Sequence, residues 1–203
     1  MTTLRKWFGP SKREIWQQLC QQTGGTFVQG GFWKGDKVQA THGDWTITLD
    51  TFAVSTGKVT IVYTRMRAPF VNPDGFRFTI YRRGFFSGIA KFLGMQDISV
   101  GDADFDRDFI IKGTHENRVR SLFESSRLRE LIGAQPQIHL TVKDDEGFFG
   151  PDFPPGTDEL CFHVVGVIKD IERLKQLFEM FAETLDQLCR IGSAYEDAPK
   201  VAL

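Results

Sequence analysis

Residues 45–64 read WTITLDTFAVSTGKVTIVYT, and the reading of this stretch decides the fold. Trp45 to Val54 is crowded with β-branched and aromatic residues, Thr56-Gly57 supplies a tight turn, and Val59 to Thr64 returns in the same residue types. Such a pair of segments predicts a β-hairpin. After Pro69 to Gly75, the segment FRFTIY from Phe76 to Tyr81 predicts a further strand. The connections are too short for helical crossovers, so the region from Thr26 to Arg83 is expected to form an antiparallel meander.

Helical signals lie on both sides of it. Ser11 and Glu14 are spaced as a capping box, Ile15, Trp16, Leu19 and Cys20 follow at helical spacing, and Gly24-Gly25 end that helix. Downstream, residues 85–93 predict a short helix, and Phe109 to Ile111 a short strand. His115 to Phe123 and Arg127 to Ile132 predict two more helices, with Thr114 and Ser125 or Ser126 as caps. A last hairpin, Gln137–Lys143 with Glu159–Val167, leads into the clearest helix of the chain. There Ile171, Leu174, Leu177, Phe178, Phe181, Leu185 and Leu188 form one stripe, Asp170 caps the start, and Arg190 and Gly192 mark the end. At ~1.5 Å per residue this helix is about 30 Å long, enough to lie across a sheet. The expected fold class is α+β: a largely antiparallel, curved sheet packed by an N-terminal helix, short central helices and a long C-terminal helix. We read 1–203 as one domain, with a weak sub-boundary near residues 94–101.

Charge changes sign at that boundary. Residues 1–96 hold 13 Lys/Arg against 5 Asp/Glu, and residues 97–203 hold 12 against 21. A net of −1 therefore hides a basic half and an acidic half, a pattern that suits an anionic partner or self-association. The 19 Phe outnumber 3 Tyr and 4 Trp, which points to a Phe-packed core ahead of a lipid-like pocket. Cys20, Cys161 and Cys189 are odd in number and far apart, so a reducing compartment is expected. The N-terminal segment lacks an apolar core of the signal-peptide kind, and the cytoplasm is the expected location.

Several constellations are candidates for chemistry or binding. Asp102, Asp104, Asp106 and Asp108 alternate as in a calcium loop, but Arg107 stands at the glycine position and Gly113 at the glutamate position. On a strand these carboxylates share one solvated face, while Phe105, Phe109 and Ile111 share the other. Symmetrical pairing of the last hairpin sets Lys143 opposite Glu159, Thr141 opposite Cys161 and His139 opposite His163. Two adjacent imidazoles make His139 and His163 weak metal candidates, since only Cys161 is near as a third ligand; otherwise they are half-exposed residues of a polar face. Arg77, Arg82, Arg83 and Lys91 are interleaved with aromatics including Phe85 and Phe86, without an acidic residue between Gly75 and Gln96. This basic-aromatic surface suits a membrane surface or an amphipathic ligand. The long loop 144–158 carries Phe148, Phe149 and Phe153 among Gly and Pro and is the leading interaction candidate. The chain has no GxSxG, P-loop or dinucleotide fingerprint, so no catalytic residue and no cofactor is expected.

Phe105-Asp106-Arg107-Asp108-Phe109-Ile110-Ile111-Lys112, then Leu122 and Leu128-Arg129-Glu130-Leu131, resemble a segment of an uncharacterised family of bacterial proteins, a domain of unknown function. In that family an FDxxF strand precedes helices that end in an LRxxL-like element. The resemblance covers residues 76–132 and implies a bacterial origin without an assigned activity. The expected function is a non-enzymatic binding or protein-interaction module, with a protein partner or another copy of the chain. The alternative is a peripheral membrane or amphipathic-ligand binder. A nucleic-acid partner is not expected.

Overall fold

The computed structural model describes residues 10–31, 35–55, 57–84, 97–144, 153–197, 199, 201 and 203. The described elements are α1 (Lys12–Thr23), β1 (Thr26–Val28), β2 (Lys37–His42), β3 (Trp45–Ser55), β4 (Thr60–Val71), β5 (Phe78–Arg82), α2 (Ala103–Asp108), β6 (Phe109–Gly113), α3 (Glu116–Leu122), α4 (Ser126–Gly133), β7 (His139–Lys143), β8 (Thr157–Val165) and α5 (Ile171–Arg190). The eight strands form one sheet in the order β1-β2-β3-β4-β8-β7-β5-β6, and every neighbouring pair is antiparallel. The α+β class is therefore as expected.

Register writes the two faces of the sheet directly from the sequence. Val38, Leu49, Met66, Phe162, Leu140, Ile80 and Ile111 stand opposite one another in a single row that crosses seven strands, and all are buried. Successive strand residues point to opposite faces, so this row and its i±2 neighbours Ile47, Ala68, Leu160 and Phe78 make one apolar face, which Phe70 extends. The helices supply its cover: Trp16 and Leu19 from α1, Val119 and Leu122 from α3, Leu128 and Ile132 from α4, and the whole inner stripe of α5 join the same core. Helix α1 begins with the expected capping box and ends at Gly24 in the left-handed region, while Asp170 caps α5 through the Arg173 amide.

The meander stops one strand early. Strands β1 to β4 are consecutive neighbours, but β5 lies three places from β4, beyond β8 and β7. The link from Asn72 to Arg77 must therefore cross the end of the β7–β8 hairpin where β7 leaves at Lys143 and β8 enters at Thr157, a span of about 14 Å at ~4.8 Å per strand. Its turn uses Gly75 at φ 66°. Asn72 fastens the crossing by donating its amide to the Asp158 carboxylate (2.6 Å) and to the Phe76 carbonyl (3.0 Å). Arg77 adds bonds to Asp158 (3.2 Å) and Asp144 (3.0 Å). Pro69 does not end β4, because β3 stops pairing at Arg67 and a missing donor costs the ladder nothing beyond it.

Residues 102–108 also differ from expectation. Asp102 accepts from the Phe105 amide and starts the short helix α2, so the four aspartates do not share a strand face and Phe105 packs from a helix. The strand of this segment begins only at Phe109. Ser125 caps α4 as expected, whereas Thr114 accepts from the Arg77 amide and His115 stands at the α3 N-cap without a capping bond. The expected helix over 85–93 lies outside the described residues.

Candidate binding surfaces of the sheet

The face opposite the helices is polar. One row runs Gln39, Thr48, Arg67, Cys161, Thr141, Thr79 and Lys112. On one side of it Asp50, Arg65 and His163 stand opposite one another, and His139 with Tyr81 continues their line. On the other side lie Pro69, Glu159 and Lys143. Arg67, Cys161, Thr141, Thr79 and Glu159 are nonetheless buried. Charges in such a place require close partners. Arg65 grips Asp50 with two parallel bonds of 2.9 and 2.8 Å, Arg67 adds a third at 2.7 Å, and Lys143 stands 3.1 Å from Glu159. Burial raises the Asp50 pKa, but the Arg65 hydrogen bonds and the charges of Arg67 and Arg65 outweigh it, so this carboxyl titrates below the usual range.

The expected register of the last hairpin holds, with Lys143 opposite Glu159 and Thr141 opposite Cys161. It brings His139 Nδ1 to 3.2 Å from His163 Nε2, with the rings edge to face at 4.6 Å. The histidines are not half-exposed as a pair: His139 is only 9% exposed, and His163 is partly buried beneath Phe52 and Tyr63. Burial first, then the neighbouring charges, lowers the pKa of His139 to about 3 and of His163 to about 4. Both are neutral at physiological pH, where one ring donates to the other. A lone pair used in that bond is not available to an ion shared by both rings, and Cys161 lies in the adjacent row, opposite Thr141. Among the described residues no three His, Cys, Asp or Glu side chains are grouped to hold a metal ion. The pair sits far from the pKa of a general acid or base working near neutrality.

The acidic run is likewise engaged. Asp102 meets Arg129 at 3.2 Å, Asp104 and Asp108 both meet Arg107, and Asp106 accepts from Ser99 and from the Val100 and Gly101 amides. The basic candidates are placed apart. Arg77 holds the crossing link, Arg82 lies over the Phe109 ring and bonds the Gly133 and Gln135 carbonyls, and exposed Arg83 reaches the Arg107 carbonyl. Phe85, Phe86 and Lys91 lie outside the described residues, as do Phe148 and Phe149; Phe153 is half-buried.

One surface was not singled out by sequence reasoning. Strand β2 pairs with β3 only as far as Leu49, and β8 with β4 only as far as Thr64, followed by the Gly166 amide on the Val62 carbonyl. Among the described residues the end of the β3–β4 hairpin therefore reaches past the last pair of β2 on one edge and past Gly166, which bridges Tyr63, on the other, as a two-stranded ribbon. Its pairs are Phe52 with Tyr63, Ala53 with Val62, Val54 with Ile61 and Ser55 with Thr60. Four pairs at ~3.4 Å each make it about 14 Å long. Phe52 and Tyr63 stack at 4.9 Å, and the Arg65 guanidinium lies 5.0 Å from the Phe52 ring, which stiffens the base. Farther out the side chains meet water: Val54 is 44% exposed, Val59 58% and Val62 39%, with Val165 at 62% beside the ribbon's base. Alternation of β-branched residues signalled the strands; among the described residues no strand flanks Val54 or Val62, and both are exposed.

No protein-family model, no curated protein and no solved structure matches this chain. Among the described residues no helix is long and apolar enough to cross a membrane.

Proposed function

We propose that the chain is a non-enzymatic binding module that engages its partner through the projecting β3–β4 ribbon. The observation that carries this reading is the clustering of exposed Val54, Val59, Val62 and Val165 on and beside an element that extends past its neighbouring strands. Single exposed apolar residues are ordinary on protein surfaces, but several gathered on both sides of one projecting element mark a contact site. A two-stranded ribbon alone is only marginally stable in water, so its exposed apolar length has a cost that a partner offsets. Strand addition at the sheet edges is less favoured: β1 has three residues, and the Ile98 amide already bonds the Ile111 carbonyl on β6. The polar face serves the module as a fixed platform, its charges paired and its histidines neutral.

The test compares the wild-type chain with a variant carrying Val54→Thr, Val59→Thr and Val62→Thr. Threonine keeps the β-branched shape, so the ribbon persists while its apolar surface is lost. Light scattering against concentration and sedimentation with lipid vesicles measure engagement. Loss of either interaction in the variant, with an unchanged urea midpoint, supports the reading. A wild-type chain that engages neither itself nor vesicles contradicts it.

A further inference from the structure

We infer that the partner of the ribbon is an anionic membrane surface, into whose interfacial layer the ribbon tip inserts. This rests on the reading of the ribbon as a binding element. The distribution of apolar side chains selects the occupant. Cross-strand partners share a face, so Val54 and Ile61 lie on one side of the ribbon and Ala53 and Val62 on the other, with Val59 at the turn. A docked protein covers one side; a tip that is apolar on both suits a medium that surrounds it. A ribbon of four pairs also offers far less than the ~1,200–2,000 Å² that a stable protein interface buries.

Charge points the same way. From Thr51 to Asn72 the chain contains no acidic residue. Lys58 lies in the turn itself, exposed. Lys12 reaches the ribbon's base, with Nζ 3.1 Å from Thr51 Oγ1 and 4.5 Å from the Trp16 ring centre, and Lys169, just past Val165, bonds the Pro10 carbonyl. The nearby carboxylates are turned elsewhere: Asp36, which also feels the Lys12 charge, to Arg13, Asp50 to Arg65 and Arg67, Asp170 to the Arg173 amide and Glu14 to the α1 capping box. Anionic headgroups complement such a collar, whereas two copies of the ribbon meeting tip to tip bring like charges together. Beyond Val62 the described residues place no strand beside the ribbon, and backbone groups that hydrocarbon cannot satisfy limit insertion to the headgroup boundary. Lys58 extends from there to the phosphates.

The test is cosedimentation of the full chain with vesicles of phosphatidylcholine alone or mixed with phosphatidylserine, at low and high salt. The proposal expects binding to the mixed vesicles at low salt, weakening as salt rises. Lys58→Gln lowers that affinity ~5-fold, the effect of one lysine at an anionic surface. The triple valine-to-threonine variant lowers it about a hundredfold, less than full burial of three valines is worth, because each is partly covered already. No binding to mixed vesicles at low salt overturns the proposal, as does unchanged binding by the triple variant at an unchanged urea midpoint. If vesicle binding is absent but the wild-type chain self-associates and the triple variant does not, the ribbon stands as a binding element and the membrane is the wrong occupant. If neither interaction occurs, both readings fall.

Discussion

Acid should unfold this protein earlier than its carboxylates require, because of the His139–His163 pair. In the fold these residues titrate at about 3 and about 4, whereas in the unfolded chain both return to the ordinary histidine value near 6.5. A depressed pKa means that the native state holds the neutral form. The stability it contributes is fully present above pH 6.5 and is lost as pH falls, because the unfolded chain takes up protons that the fold refuses. From pH 7.5 to 5 each histidine removes about 2 kcal/mol, at ~1.4 kcal/mol per pH unit below the unfolded pKa. The pair removes about 4 kcal/mol, a large part of a stability that is typically ~5–15 kcal/mol. This figure holds wherever both native values lie below 5, so it does not depend on how the two interacting rings share their protons. Urea unfolding followed by far-ultraviolet circular dichroism at pH 7.5, 6.5, 5.5 and 5 reads it directly. His139→Asn with His163→Asn gives the control, since neither asparagine titrates and the steep fall should flatten. Equal stability at pH 5 and 7.5, or an undiminished fall in the double variant, refutes the reasoning.

Three further substitutions test the packing described above. Asp50→Ala removes the carboxylate that Arg65 and Arg67 share, and should cost about 3 kcal/mol in urea unfolding. Gly113→Ala places a methyl 2.5 Å from Val119 Cγ2 and 3.1 Å from the Arg77 carbonyl, where β6 runs close under α3, and should cost about 1–3 kcal/mol. Ser11→Ala deletes half of the α1 capping box and should lower stability by about 1 kcal/mol, read as a lower thermal midpoint.

Local chemistry made much of the fold legible. The capping box of α1, the stripe of α5 and the β3–β4 hairpin follow from residue spacing, and a favourable Lys143–Glu159 pairing sets the register of β7 on β8. The order of the strands was not legible, because nothing in FRFTIY states which neighbour it chooses; β5 passes β8 and β7 and pairs on the far side of β7. Residues 102–108 alternate acidic and other side chains as a strand does, but one Asp102 capping bond decides for a helical turn. For the candidate sites, register predicted that His139 meets His163, while their depth depends on what surrounds the pair. The exposed valines of 54–62 carry the same signal as buried strand residues. Among the described residues β2 and β8 stop pairing before these valines, which meet water.

If the ribbon is the membrane-binding element we propose, its tip leaves water on binding. Val59→Trp places an indole at the turn, where the native side chain is 58% exposed, and its emission is read as the difference from the wild-type chain during titration with mixed phosphatidylcholine–phosphatidylserine vesicles. The expected result is a blue shift that saturates, with emission quenched by brominated lipid, and that reverses in high salt. A difference spectrum that stays that of a water-exposed indole throughout the titration contradicts it.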